Sequence, residues 1–226
     1  MPVLDIKDTE SLFTKALDES NYNELVSIIE PLSSTCKYAD FTKMHMEPFW
    51  SEKHEFEEEP WLENGCDFEH YLHKLDSCGR IIYVQHKIQF PNGFNVEETF
   101  AIYNEKSVTF YAYENSFCGG LRLLWVRHGK LVNGLLTEVC NIGSEGQTSK
   151  ETFTYSEGRL TNSLYTQEER EYNEGKLPSK AGFCWATRYS YYYDSNKKLN
   201  KVVRNGVNLE NNEVGEDWVV FGDSEL

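Results

Sequence analysis

The chain has 226 residues, of which 39% are apolar, 26% charged and 14% aromatic. This composition is typical of a soluble globular protein with a substantial core, and it excludes an intrinsically disordered chain. The formal net charge of −15 disfavours nucleic-acid binding, because contacts to phosphate groups require a basic surface.

Simple patterns also disfavour membrane and disulfide-bonded proteins. No apolar run approaches the roughly 20 residues that a transmembrane helix needs. The first ten residues, MPVLDIKDTE, lack the basic and apolar regions of a signal peptide. Six scattered cysteines form no CxxC pair, so neither a zinc ribbon nor a thioredoxin-type site is indicated. We therefore expect a cytoplasmic protein with no membrane partner.

Two helices are predicted near the N-terminus, within residues 8–32. Their apolar residues recur at helical spacing: Leu12, Phe13, Ala16, Leu17, Leu25, Val26, Ile28 and Ile29. Asp8 or Thr9 is the expected cap of the first helix, and Asn21 or Asn23 that of the second. Pro31 should end the pattern, because proline cannot continue a helix.

The next part of the chain is rich in prolines, aromatics and acidic residues. Residues 37–64 contain two prolines, two tryptophans and the run Glu57-Glu58-Glu59, which predicts an irregular segment held by its aromatics. The stretch CDFEHYLHKLD at 66–76 is predicted to form a short helix. Residues 1–76 carry 18 acidic and 6 basic side chains, a balance of −12.

From residue 79 onward the pattern changes to the period of two that marks β-strands. Residue–glycine pairs that supply the positive φ of tight hairpins separate the runs, among them Asn92-Gly93, His128-Gly129, Glu157-Gly158 and Asn205-Gly206. About nine or ten strands should therefore form an antiparallel meander over residues 77–209. It would be a barrel or a large curved sheet, with an acidic tail at 210–226.

These predictions give a mostly β, α+β fold in one domain spanning residues 1–226. The N-terminal helices are followed by the long meander, and they would cover one face of the sheet or an open end.

A short unit recurs within the meander as YSEGRL, YNEGKL and YDSNKKL, starting at Tyr155, Tyr172 and Tyr193. It resembles the YD (Rhs) repeat, whose units read roughly Tyr-Asp-x-x-Gly-Arg-Leu. The resemblance implies a hairpin meander, and such repeats occur near polymorphic toxin systems. Only Tyr193 and Asp194 retain the Tyr-Asp pair, and any tight hairpin with an entry aromatic and a buried leucine gives a similar pattern.

Candidate chemical sites are few. Residues 45–73 contain four histidines among many acids, so a metal site is conceivable, with His70 and His73 on one helical face. A solvated acidic face is the simpler interpretation. No nucleophile elbow, phosphate loop or catalytic cysteine motif is present, and no catalytic residue, metal ligand or cofactor is assigned.

The sequence favours a non-enzymatic binding protein, specifically an immunity or antitoxin-like protein that neutralises a basic, toxin-like protein partner. The predicted partner-binding residues are acidic side chains and two tyrosines that share a strand face: Glu55, Glu57, Glu58, Glu59, Glu63, Asp67, Glu69, Tyr189 and Tyr191. The alternative is a β-barrel that binds a small apolar or aromatic ligand. A third hypothesis is an enzyme with an acidic or histidine-containing cleft.

Overall fold

A computed structural model describes residues 4–54, 60–66, 68–171, 175–209, 211 and 213–222, with backbone alone at Ser51 and residues 179–184. Its elements are helices α1 (Lys7–Ala16), α2 (Glu19–Leu32) and α3 (Trp50–Lys53), and twelve strands. The strands are β1 (Thr35–Ala39), β2 (Tyr71–Leu75), β3 (Ile81–Phe90), β4 (Gly93–Tyr103), β5 (Ser107–Ser116), β6 (Gly120–Val132), β7 (Leu135–Gly143), β8 (Gln147–Ser156), β9 (Arg159–Glu171), β10 (Ser179–Tyr193), β11 (Leu199–Val207) and β12 (Trp218–Phe221).

The two predicted N-terminal helices are confirmed, and each buries one residue per turn. The predicted caps are wrong. Helix α1 follows Ile6, which makes no side-chain cap, and helix α2 is capped by Asp18, whose carboxylate accepts a hydrogen bond from the Ser20 N–H. Asn21 is buried instead and donates from Nδ2 to the Tyr113 hydroxyl at 2.9 Å. Pro31 lies in the last turn of α2, one residue before the helix ends.

The strands form one antiparallel meander in which each strand pairs with its neighbours in sequence. Strands β1 and β12 are the two edges of this sheet. The described strands therefore form an open sheet, and the closed barrel that the sequence allowed is not formed.

The meander extends beyond the predicted limits. Strands β1, β2 and β12 lie outside residues 77–209. The predicted helix at 66–76 is wrong, because Tyr71–Leu75 is a strand that buries alternate residues. The predicted turns at His128-Gly129 and Asn205-Gly206 fall inside β6 and β11.

Alternate residues of the central strands serve two different cores. On one face α1 and α2 pack on a cluster that includes Phe100, Tyr113 and Val126. On the other face a second cluster includes Ala101 and Phe110 together with residues from β7 to β12. Both faces of the central strands are covered, which explains why consecutive residues of these strands are buried although their side chains point to opposite faces.

The second face is covered by residues 42–54, which we call the strap. Its Lys43 N–H donates to His73 on β2, and α3 at its other end lies against β12. In a flat sheet β2 and β12 would be about 48 Å apart at about 4.8 Å per strand, whereas an extended chain from Lys43 to Lys53 reaches about 35 Å. The sheet must therefore curve around the strap, which lies on its concave face.

None of the helices in the described part of the chain combines the length and the apolar character that a bilayer crossing requires.

Candidate ligand-binding cleft

The strap and the concave face enclose two adjoining compartments, which together we call the strap cleft. The first, of about 280 Å³, lies over strands β2–β6. The second, of about 350 Å³, lies over β6–β10. Trp50 of the strap and Arg127 of β6 line both. Each volume is near the lower end of the range of about 300–1,000 Å³ for small-molecule sites.

Strand alternation places polar side chains in the second compartment. On β7, Val139 packs in the core and Asn141, two residues on, lines the cleft. On β8, Ser149 and Glu151 line it, and Phe153 on the same parity is in the core. The face that is apolar at one end of these strands is therefore polar at the other.

Two ion pairs hold the strap to this polar floor. Arg127 Nη1 lies 3.2 Å from Glu47 Oε1. Lys53 Nζ lies 2.6 Å from Glu151 Oε1, and 4.5 Å above the ring of Tyr189. Burial by itself raises the pKa of Glu47, but the Arg127 guanidinium and a backbone hydrogen bond outweigh it, so this pKa lies below its ordinary value. Each cation in the second compartment thus has a carboxylate beside it.

Aromatic rings form the walls of the cleft. In the first compartment the His86 ring stacks on Tyr71 with centroids 4.1 Å apart, and the His45 ring stacks on Trp50 at 3.7 Å. In the second compartment, Tyr165 and Trp185 are in contact with centroids 5.6 Å apart. Burial raises the pKa of the Tyr165 hydroxyl, so this phenol is neutral. It donates to Gln167 Oε1 at 3.0 Å and can accept a further hydrogen bond.

Four residues of the cleft lining carry a buried side-chain polar atom without a hydrogen-bond partner among the described residues. They are His86 (Nδ1), Arg127 (Nε), Asn141 (Oδ1) and Thr148 (Oγ1), of which Thr148 lies on the opposite strand parity to Ser149 and Glu151. Buried polar groups are nearly always hydrogen-bonded, and leaving one unpaired costs about 1–3 kcal/mol. Their convergence on one cleft is typical of a site that is completed by a bound molecule.

Comparisons with known protein families, sequences and structures found no related protein. The chain matches no family model, no curated protein sequence and no solved structure.

The four predicted partner-binding residues that the structure describes do not lie together in one site. Glu63 and Glu69 are exposed near β2, and Tyr189 lines the cleft. Tyr191 is only 4% exposed, and its hydroxyl lies 3.2 Å from Ser163 Oγ, so its side chain packs within the core of this chain. The other predicted residues lie outside the described part of the chain: Glu55, Glu57, Glu58, Glu59 and Asp67.

The histidines of residues 45–73 do not share a metal site. His73 is buried in β2, with Nε2 accepting from the Lys43 N–H, and His70 Nδ1 accepts from the Cys66 N–H. Within the described ranges, no group of three or more His, Cys, Asp or Glu side chains is placed to hold a metal ion.

Sequence reasoning missed the residues that build the cleft. The sequence did contain an indication of them. A charged or amide side chain occurs at a strand position that the alternation of residues assigns to the core face. In LRLLWVR, Arg127 follows Trp125 at the period of two, and in SKETF, Glu151 precedes Phe153 in the same way. A buried charge on a core face is rarely accidental.

Proposed function

We propose that the protein binds a small polar ligand in the strap cleft. The observation that supports this most directly is the pair of unpaired polar atoms of Arg127 and Asn141, which face each other across β6 and β7 in the second compartment. A ligand with complementary groups would satisfy both and gain the stabilisation that the free protein lacks. A purely apolar ligand would leave them unpaired; the alternative that the sequence suggested was an apolar or aromatic one.

The shape of the cleft supports the same function. Aromatic walls supply apolar contact area, and a few fixed polar groups orient a ligand, which is the usual composition of small-molecule sites. Ion pairs at Glu47 and Lys53 fix the strap over the sheet, so the cleft exists before any ligand binds. A preformed site loses less conformational entropy on binding than a flexible one.

Tryptophan fluorescence provides the test. Three of the five tryptophans, Trp50, Trp125 and Trp185, line the cleft. A thermal-shift screen of small polar metabolites should yield compounds that raise the melting temperature and change the emission. The variant Asn141→Leu should weaken that binding at least tenfold. A screen in which no compound changes either signal would refute the function.

A matched control is available on β4. Asn95 also carries a buried Oδ1 without a partner among the described residues, but it is not part of the cleft lining. The variant Asn95→Leu should leave ligand binding unchanged. Equal loss of binding in both asparagine variants would indicate a general effect on folding and not a contact in the cleft.

A second candidate function is the one that the sequence favoured, binding of a basic, toxin-like protein. The observation that supports it is the set of four exposed rings near the β3–β4 turn, which we call the aromatic tip: Phe68, Phe90, Phe94 and Phe117, each between 39% and 46% exposed. Phe68 contacts Phe94, and Phe90 contacts Phe117, with centroids 5.6 and 5.9 Å apart. Exposed apolar groups in contact with one another often mark protein interfaces.

Charge specifies the partner for the aromatic tip. Phe68 lies within residues 55–69, which contain seven acidic side chains and neither lysine nor arginine. Acidic residues next to Phe68 in the sequence would make this apolar surface complementary to an apolar patch on a basic protein.

Co-purification with the product of an adjacent gene, at low and high salt, tests this second function. The complex should weaken at high salt, because charge attraction is screened. It should also weaken with Phe94→Ser but not with the control Val132→Ser, an exposed side chain next to another hairpin turn. A complex that is unaffected by salt and by Phe94→Ser would contradict it.

A further inference from the structure

We infer that the ligand of the strap cleft is a neutral molecule rich in hydroxyl groups, of the chemical class of a saccharide. This inference rests on the proposed function of the cleft and specifies what it binds. It follows from the charges, the unpaired atoms and the aromatic walls of the cleft.

The charges of the second compartment are already compensated. Arg127 is paired with Glu47, and Lys53 is paired with Glu151 at 2.6 Å. An anionic ligand would have to displace a carboxylate from its cation, and a cationic ligand would have to displace a cation from its carboxylate. Separating a buried pair in either way leaves an uncompensated charge. In the first compartment Glu97 adds a further carboxylate, which disfavours anions there.

The unpaired atoms require both a donor and an acceptor from the ligand. Arg127 Nε carries a hydrogen and can only donate, whereas Asn141 Oδ1 can only accept. An ammonium group has no acceptor and cannot satisfy Arg127, and a carboxylate or phosphate dianion has no donor and cannot satisfy Asn141.

A hydroxyl group both donates and accepts through the same oxygen. It can therefore serve Arg127 and Asn141 alike, and also the His86 Nδ1, whichever tautomer that ring adopts. A molecule that presents several hydroxyls around a small ring can satisfy Arg127 and Asn141, which are paired across β6 and β7, without introducing a charge.

The aromatic walls suit the other surface of such a ring. Tyr165 and Trp185 line the second compartment and are in contact with each other, and Trp185 is 39% exposed. Trp50 lies between the two compartments, where the His45 ring stacks on it at 3.7 Å and the His54 ring lies 4.7 Å away. A pyranose ring has apolar C–H faces that pack on aromatic rings and hydroxyls at its perimeter that reach polar groups. The polar floor of the cleft is thus complementary to the hydroxyls, and its aromatic walls are complementary to the C–H faces.

The experiment compares matched sugars that differ in charge. The full-length protein is titrated with glucose, N-acetylglucosamine and maltose as neutral probes, with glucuronate and glucose 6-phosphate as anions, and with glucosamine as a cation. Tryptophan emission and calorimetry report the dissociation constants. We expect at least one neutral sugar to bind with a Kd at least tenfold lower than that of any charged probe.

The other outcomes separate this inference from the proposed function. If a charged sugar binds as tightly as the neutral ones, or if only compounds without hydroxyl groups bind, the inference is wrong and the cleft remains a ligand site. If neither these sugars nor any compound of the wider screen binds, both proposals are wrong.

Two variants test the contacts assigned to Arg127 and Asn141. Arg127→Lys keeps a cation beside Glu47 but lacks the Nε–H, and Asn141→Ser shortens the side chain that carries the unpaired acceptor. Each should raise the Kd of the neutral sugar at least tenfold, whereas Asn95→Leu should not change it. Unfolding curves establish that each variant is folded, and a Kd that is unchanged in both folded variants would refute the assignment.

Discussion

Lys53 on the strap and Glu151 on β8 form an ion pair that is almost fully excluded from solvent. Nζ lies 2.6 and 2.7 Å from the two carboxylate oxygens, and the two side chains are only 3% and 4% exposed. Burial of either charge alone would cost several kcal/mol. The strap is therefore fixed on the concave face by a contact in which each partner requires the other.

Replacing one residue of the Lys53–Glu151 pair should lower the free energy of unfolding far more than replacing both. We expect Lys53→Met to lower the free energy of unfolding by about 3–5 kcal/mol, because Glu151 is left buried and unpaired. The double variant Lys53→Met with Glu151→Met should recover most of that loss. Urea denaturation of the double-mutant cycle measures the coupling between the two residues.

The exposed pair Lys15–Glu24 is the control, since its side chains are 60% and 55% exposed. Lys15→Met should change the free energy of unfolding by less than about 1 kcal/mol. If Lys53→Met had an equally small effect, the buried pair would not be a stabilising contact.

His73 should make stability depend on pH. Nε2 accepts from the Lys43 N–H at 3.0 Å and Nδ1 lies 3.1 Å from the Tyr71 carbonyl oxygen, so only the neutral ring satisfies both contacts. Burial lowers the pKa of His73 to about 4 from its ordinary value of 6.5, with a smaller contribution from Lys43 and an opposing one from the Tyr71 hydrogen bond.

The sign follows from proton binding. Between pH 6.5 and 4 the unfolded chain binds a proton that the folded chain excludes, so stability falls as the pH falls, by up to about 1.4 kcal/mol per pH unit. His73→Gln keeps an acceptor for Lys43 but cannot titrate, and its unfolding free energy should fall less steeply over this window. His54 and His128, whose pKa values are also lowered by burial, are retained in both proteins. Parallel pH profiles would contradict the assignment to His73.

The sequence predicted the helices and most of the meander because their patterns are local. Strands β3 to β5 are rich in β-branched and aromatic residues and are bounded by turn residues, so composition and turn chemistry agree. Strand β2 was predicted as a helix because its apolar spacing also fits a helical face. Its pairing with β1, which joins Thr35 to Leu75, is non-local, and tertiary pairing overrides a weak local preference.

The cleft was beyond sequence reasoning for a related reason. Lys53 and Glu151 are 98 residues apart in the chain, and nothing local indicates that they meet. The inward charge on β6 was visible at Arg127, but its partner Glu47 lies on the strap, whose path follows from the curvature of the whole sheet. Turn chemistry failed at Gly129 for the same reason, because that glycine makes room for the strap.

A substitution in the turn of the YSEGRL hairpin should stabilise the protein. Glu157 and Gly158 have φ values of 50° and 76°, close to those of Asn133 and Gly134 in the β6–β7 hairpin, 51° and 77°. Asparagine adopts a positive φ more readily than glutamate. We expect Glu157→Asn to raise the free energy of unfolding by about 0.5–1 kcal/mol, and Asn133→Glu to lower it by a similar amount. Urea denaturation measures both, and shifts of the same sign would contradict this account of the turns.

Gly129, in the middle of β6, should tolerate no side chain. A Cβ there would lie 2.6 Å from Met46 Sδ on the strap and 2.7 Å from Leu136 Cδ1. We expect Gly129→Ala to lower the free energy of unfolding by about 1–3 kcal/mol, as overpacking of a filled core does. Adding Met46→Ala should relieve part of that loss.

Gly206 in β11 is the matched control for Gly129. It is also a strand glycine, but a Cβ there would meet no heavy atom within 4 Å. Gly206→Ala should leave the protein equally stable or up to about 1 kcal/mol more stable, because alanine loses less backbone entropy on folding than glycine does. Denaturation of the two alanine variants side by side separates the cost of close contact from that of the substitution itself. Equal effects at both positions would mean that the strap does not pack against Gly129.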